Sequence, residues 1–245
     1  PGFPAHPHRG FETITLARRG FIDHSDSMGA AARFGEGDVQ WMTAGRGIMH
    51  SEMFPLRRTD QDNPVELFQI WLNLPARNKM VDPHFSMFWS DAMPRKSYGE
   101  PGQPQTNVVA MVGSIDGLSG VKPPPKSWAA ESTAEVAIWT IDMEPNAWFE
   151  LPAASPGVNR TLYFFDGDSV EVAGEAVSDH VALHFDRAEA CVVANRGAMR
   201  AQLLMMQGRP IGEPVVQHGP FLMNTREEIV QAVTDYQRTR FGGWP

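Results

Sequence analysis

Apolar residues along this chain recur in short runs at strand spacing, and Gly, Pro, Asn and Asp separate them. Residues 11–17 (FETITLA) are rich in β-formers, and residues 37–42 (GDVQWM) follow a turn. Residues 65–74 (VELFQIWLNL) alternate large apolar and polar side chains. Residues 108–112, 136–143, 161–165, 170–172, 180–185, 191–194 and 199–206 continue the series. Strands at this spacing with turn signals between them predict an all-β sandwich or barrel. Between Trp89 and Trp128 the composition shifts, with Pro94, Pro101, Pro104 and Pro123–Pro125 among several glycines. Such a stretch mostly connects, which divides the chain near residue 90 into a lobe at 1–90 and a lobe at 91–245. One helix is expected, at 224–240 and within the second lobe. Asn224 with Glu227 three residues on reads as a capping-box start. Ile229, Val230, Val233 and Tyr236 then recur at helical spacing.

Composition narrows the function classes. A chain of 245 residues can build one large or two modest cores. Its formal net charge of -8 argues against direct nucleic-acid binding, which needs clustered Lys and Arg. A single cysteine, Cys191, permits no intrachain disulfide and fits a reducing compartment; it is expected to be a buried, inert thiol. No apolar stretch reaches the roughly 18 residues that a transmembrane helix needs, and no signal peptide is evident. Ala- and Arg-rich usage without eukaryote-like tails suggests a bacterial cytoplasmic protein. The chain opens at Pro1 directly on a motif, so some native N-terminal sequence is expected to precede it.

That motif is His6-Pro7-His8, and after a run of glycines comes His50-Ser51-Glu52. Residues two apart on a strand point to one face, about 6.5–7 Å apart along it. Three imidazoles and a carboxylate converging from two neighbouring strands make a first-row transition-metal site with coordination positions left open. Glu12 has the same parity as His6 and His8, so geometry alone leaves it as an alternative carboxylate. The remaining histidines (His24, His84, His180, His184 and His218) are each expected to be hydrogen-bonded core or surface residues. Phe68 and Trp71 are expected in the core, and Arg9, pointing away from the metal face, in a surface or inter-strand ion pair.

The order HxH, glycine-rich turn, then His resembles the two-part signature of the cupin superfamily. The blocks HPHRGFET, GDVQWMTAGRGIMHSE, QIWLNLP and QHGPFLMNTREEI resemble, in that order, the pirin family. The resemblance implies a bicupin, with two stacked jelly-roll β-barrel lobes, a short C-terminal helix and one mononuclear divalent metal in the N-terminal lobe. Iron, as Fe(II), is the usual assignment, and other first-row metals can occupy the site. Carried over position by position, the ligands are His6, His8, His50 and Glu52, with Glu12 behind a ligand imidazole or as the alternative ligand. The C-terminal lobe offers no comparable set, because the positions matching His6, His8 and Glu12 fall roughly on Ala153, Ser155 and Asn159. It is expected to be metal-free.

Two functions follow as expectations. The first is an Fe(II)-dependent dioxygenase of quercetin-type flavonols, with the flavonol and O2 as small-molecule partners and Glu52 as both ligand and general base. The second is a non-enzymatic, iron-dependent regulatory protein that acts through protein contacts, as the resemblance to eukaryotic pirins implies.

Overall fold

The computed structural model describes residues 1–185 and 189–243. Regular structure among them is almost all antiparallel strand, with one α-helix, α1, at Arg226–Thr239. The chain forms two compact units. One is Pro1–Ala92 with Pro124–Trp128 and the chain from Ile211 onward; the other is Met93–Pro123 with Ala129–Pro210. The composition shift near residue 90 marks where the chain first leaves the first unit. It does not mark a lobe holding everything that follows, because residues 124–128 and the C-terminal segment with its helix pack with the first unit. The contacts that recruit the C-terminal segment are specific. The Leu222 N–H donates to the Arg9 carbonyl at 3.0 Å, and the buried Lys79 ammonium donates to the carbonyls of Gly10 and Leu222. Partners more than 140 residues apart leave no trace in local composition.

The Pro1–Ala92 part of the first unit has eight strands: β1 (Gly2–His8), β2 (Phe11–Arg19), β3 (Phe21–Asp26), β4 (Ala31–Gly35), β5 (Asp38–Thr43), β6 (Ile48–Met53), β7 (Glu66–Asn73) and β8 (His84–Phe88). They form two sheets, in the orders β1-β6-β3-β4 and β7-β2-β5-β8. β2, central in its sheet, is buried from Phe11 to Ala17 on both faces, which suits its continuous apolar and threonine composition. β3 alternates strictly, with Ile22, His24 and Asp26 inward. Ala17, Ile22 and Phe34 close one part of the core between the two sheets. Gly10 makes the passage from β1 to β2 possible. Its φ of +87° is left-handed, and a Cβ there would lie 2.1 Å from the Leu222 carbonyl oxygen.

The second unit pairs a six-stranded sheet with a four-stranded one. The larger runs in the order Val181–His184, Asn159–Asp166, Ala201–Gly208, Ala137–Met143, Thr106–Val112, Arg95–Tyr98. One core cluster takes side chains from both sheets, including Val108, Trp139, Leu162 and Leu203 from the larger and Phe149, Val170 and Val193 from the smaller.

α1 begins one residue later than the sequence suggests. Thr225 is its N-cap, accepting from the Glu228 N–H while the Glu228 carboxylate accepts from the Thr225 N–H. The Asn224 side chain turns instead toward the preceding segment, where its amide nitrogen donates to Glu213 and the Pro214 carbonyl. No helix among the described residues is long and apolar enough to cross a membrane.

Candidate metal centre

β6 runs between β1 and β3. Its register sets His6 opposite His50 across β1, and His24 opposite Glu52 and Asp26 opposite His50 across β3. Directly opposed residues of an antiparallel pair project to the same face. His6, His8, His24, Asp26, His50 and Glu52 therefore share one face, and all except the half-buried His6 are buried there.

The three expected imidazole ligands come together. One nitrogen from each of His6, His8 and His50 lies within 4.8 Å of the others. His6 Nε2 and His8 Nε2 are 3.1 Å apart, close to the ~3 Å that separates neighbouring nitrogens sharing an ion at about 2.0–2.1 Å. His6 Nδ1 lies 2.8 Å from the Pro4 carbonyl oxygen. A proton there makes that hydrogen bond and leaves the Nε2 lone pair facing His8. His50 is fully buried, and neither of its ring nitrogens has a hydrogen-bond partner. Burial, and then the charge of His6, holds His8 down to about 3. Burial holds His50 well below the ordinary histidine range, with His8, His6 and His24 adding to the effect. Buried polar atoms without partners are costly, and both His50 ring nitrogens are left without one. A divalent cation would satisfy them, so the residues present fit a metal.

Glu52 lies on β6, two residues after His50. Its carboxylate accepts from Gln69 Nε2 at 2.8 Å and from the Thr15 hydroxyl at 3.3 Å, and burial raises its pKa. Its oxygen falls within 4.8 Å of nitrogens of His24 and His50, in a second group that shares His50 with the first. Glu12 lies in neither group. It accepts from the Thr43 hydroxyl at 2.6 Å and from the Ser127 hydroxyl, and burial pushes its carboxyl up to about 7. Its parity with His6 and His8 does not carry over because residues 6–12 are not one strand: the chain changes sheets at Gly10.

Four features escape the sequence reading. His24 is a member of the second group, with His24 Nε2 and Asp26 Oδ2 3.1 Å apart. The signal was present, since His24-Ser25-Asp26 has the same i, i+2 spacing as His6-Pro7-His8, but no β-rich run marked residues 21–26 as a strand. Gln69 and Thr15 hold the Glu52 carboxylate, and nothing local announces that role. Trp71 is not core: it is 40 % exposed, its indole 4.3 Å from the Phe11 ring and 5.6 Å from the His8 ring. Arg9 is buried rather than superficial, and its partner is on a helix rather than a strand. It pairs with Asp235 of α1 at 2.9 Å and donates to the Arg46 carbonyl.

Two family models match successive parts of the chain, the second running from the second unit into the C-terminal segment that packs with the first. The family model "Pirin" matches residues 1–72, and the model "Pirin C-terminal cupin domain" matches residues 138–242. A pirin-like protein of Caulobacter vibrioides is 36% identical over 241 residues, spanning 98% of this chain and 80% of that protein. Human pirin is 33% identical over 245 residues, spanning 98% and 78%. The crystal structure of quercetin 2,3-dioxygenase from Acinetobacter baumannii superposes with a TM-score of 0.85 at 28% identity, covering 99% of this chain and 80% of that one.

Proposed function

The chain belongs to the pirin family of the cupin superfamily, with a bicupin fold, and on that footing we propose that it is a mononuclear metal dioxygenase opening the heterocycle of quercetin-type flavonols. The observation that carries this reading is the buried cluster of His6, His8 and His50, whose ring nitrogens lie within 4.8 Å of one another. In this reading those three hold the ion and Glu52 is the fourth protein donor. Similarity to the Acinetobacter quercetin 2,3-dioxygenase supports the substrate class.

When bound, a divalent first-row ion, Fe(II) here, supplies Lewis acidity toward the flavonol hydroxyl and redox chemistry toward dioxygen. The protein supplies the rest. The neutral imidazoles of His8 and His50 offer lone pairs at any ordinary pH, since burial keeps both unprotonated. Glu52 is the carboxylate placed to act as the base, fixed by Gln69 and Thr15. It takes the hydroxyl proton at one oxygen while Gln69 holds the other in place. The half-exposed Trp71 indole beside His8 gives a flat substrate ring a face to stack on. Phe11, packed against both His8 and Trp71, keeps the floor of the site apolar.

The reaction takes one flavonol and one O2 to the ring-opened ester and carbon monoxide. Carbon monoxide in the headspace of the iron-loaded chain with quercetin is the test. The reading requires release in step with quercetin loss, and its absence from His50→Ala.

A further inference from the structure

We propose that His24, His50 and Glu52 form a second donor set, overlapping the three-histidine set at His50, and that His24 is a metal donor in its own right. The proposal rests on the reading of this face as a metal centre and goes beyond the four ligands of that reading.

Three observations carry it. The first is placement. β6 is flanked on both sides by strands offering a same-face pair: His6 and His8 on β1, and His24 and Asp26 on β3. Single donor atoms of His24, His50 and Glu52 all lie within 4.8 Å of one another, as do those of His6, His8 and His50. The second is composition. Two imidazoles and one carboxylate are the donors of the facial triad found in non-haem Fe(II) oxygenases, which leaves several coordination positions open. The third is the state of His24. Its Nε2 lies 3.1 Å from Asp26 Oδ2, and that carboxylate is fixed in turn by the N–H groups of Met28 and Ala30. A proton on Nε2, facing the carboxylate, leaves Nδ1 as a lone pair. Nδ1 is buried and has no partner. A carboxylate behind an imidazole is the arrangement that fixes tautomer and ring orientation in metal-binding histidines. Stacking on Phe85, 4.8 Å between ring centres and 25° between planes, holds the ring further.

A structural His–Asp pair would need none of this beyond the 3.1 Å contact. It would leave Nδ1 buried and without a partner, on a ring that lies within reach of Glu52 and the partnerless His50 imidazole. With His50 common to both sets, the centre binds one ion through either flank of β6.

The test is Co(II) titration of the metal-free full chain, following uptake by equilibrium dialysis and the visible absorption of the bound ion. The wild type is compared with His6→Ala/His8→Ala and with that double variant carrying His24→Ala. Circular dichroism and the thermal midpoint check that each folds. If the alanine variants do not fold, Gln replaces Ala at the same positions. The proposal expects the double variant to keep about one equivalent of Co(II), more weakly and with a changed spectrum, and the triple variant to lose it. A folded double variant that takes up no Co(II) overturns the proposal while leaving the three-histidine reading intact. A wild type that takes up no Co(II) overturns both.

Discussion

His24 and Glu52 stand directly opposite each other on β3 and β6, so the carboxylate expected to complete the three-histidine set lies beside a further imidazole. His50 is the one side chain common to both groups. The predictions below follow from that geometry.

His50→Ala removes a donor from each group, so it should abolish stoichiometric metal binding, read as metal content after dialysis. Glu52→Gln should weaken binding. Glu12→Gln should leave occupancy unchanged, because the Glu12 carboxylate is taken up by Thr43 and Ser127 and belongs to neither group. Loss of metal in Glu12→Gln alone would reverse the choice of carboxylate.

The same Glu12 should give the metal-free protein a pH dependence of known sign. Burial raises its folded pKa to about 7 from an ordinary value of 4.5. Below about 4.5 both states are protonated and the group contributes no slope. Between there and about 7 the unfolded chain ionises while the folded one stays protonated, so stability falls as pH rises. The loss is on the order of 3 kcal/mol across the window. Glu12→Gln should flatten this part of the profile, measured as thermal midpoints of the metal-free protein from pH 4.5 to 8. A parallel decline in the variant would assign the slope elsewhere.

Arg9 ties the residue after His8 to the C-terminal helix. Its guanidinium is paired with Asp235 and lies 4.6 Å from the centre of the Phe241 ring. Asp235→Ala leaves a buried guanidinium short of a partner and should cost about 2 kcal/mol, read by urea denaturation. A change within experimental error would mean that the Arg46 carbonyl and the ring suffice.

Trp71→Ala should raise KM for a flavonol about 3- to 10-fold, the worth of one aromatic contact, with kcat changed less. An unaltered KM would place the substrate away from that wall.

Much of the site was legible because its chemistry is rare. His6-Pro7-His8 and His50-Ser51-Glu52 are two same-face pairs, and the fold brings their three imidazoles together as the spacing implies. The rest depended on partners remote in sequence. β3 reads FIDHSD, two-thirds polar, in part because its inward face carries His24 and Asp26 rather than aliphatics, so the pattern that marks an ordinary strand was missing where the site needed one. Glu12 has the right parity but sits beyond a glycine that moves the chain to another sheet. The C-terminal helix was visible from its period, but its place with the first unit depends on Arg9 meeting Asp235 across more than 220 residues. The cap fell to Thr225, while the Asn224 amide turned to Glu213, eleven residues upstream.

The most direct test of the central claim is oxygen uptake by the chain reconstituted anaerobically with Fe(II), with and without quercetin, beside His50→Ala and free Fe(II). The account predicts quercetin-dependent uptake of one O2 per flavonol consumed, lost in His50→Ala. Full iron occupancy with no uptake beyond that of free Fe(II) would contradict it, leaving a metal-binding bicupin that does not turn over flavonols.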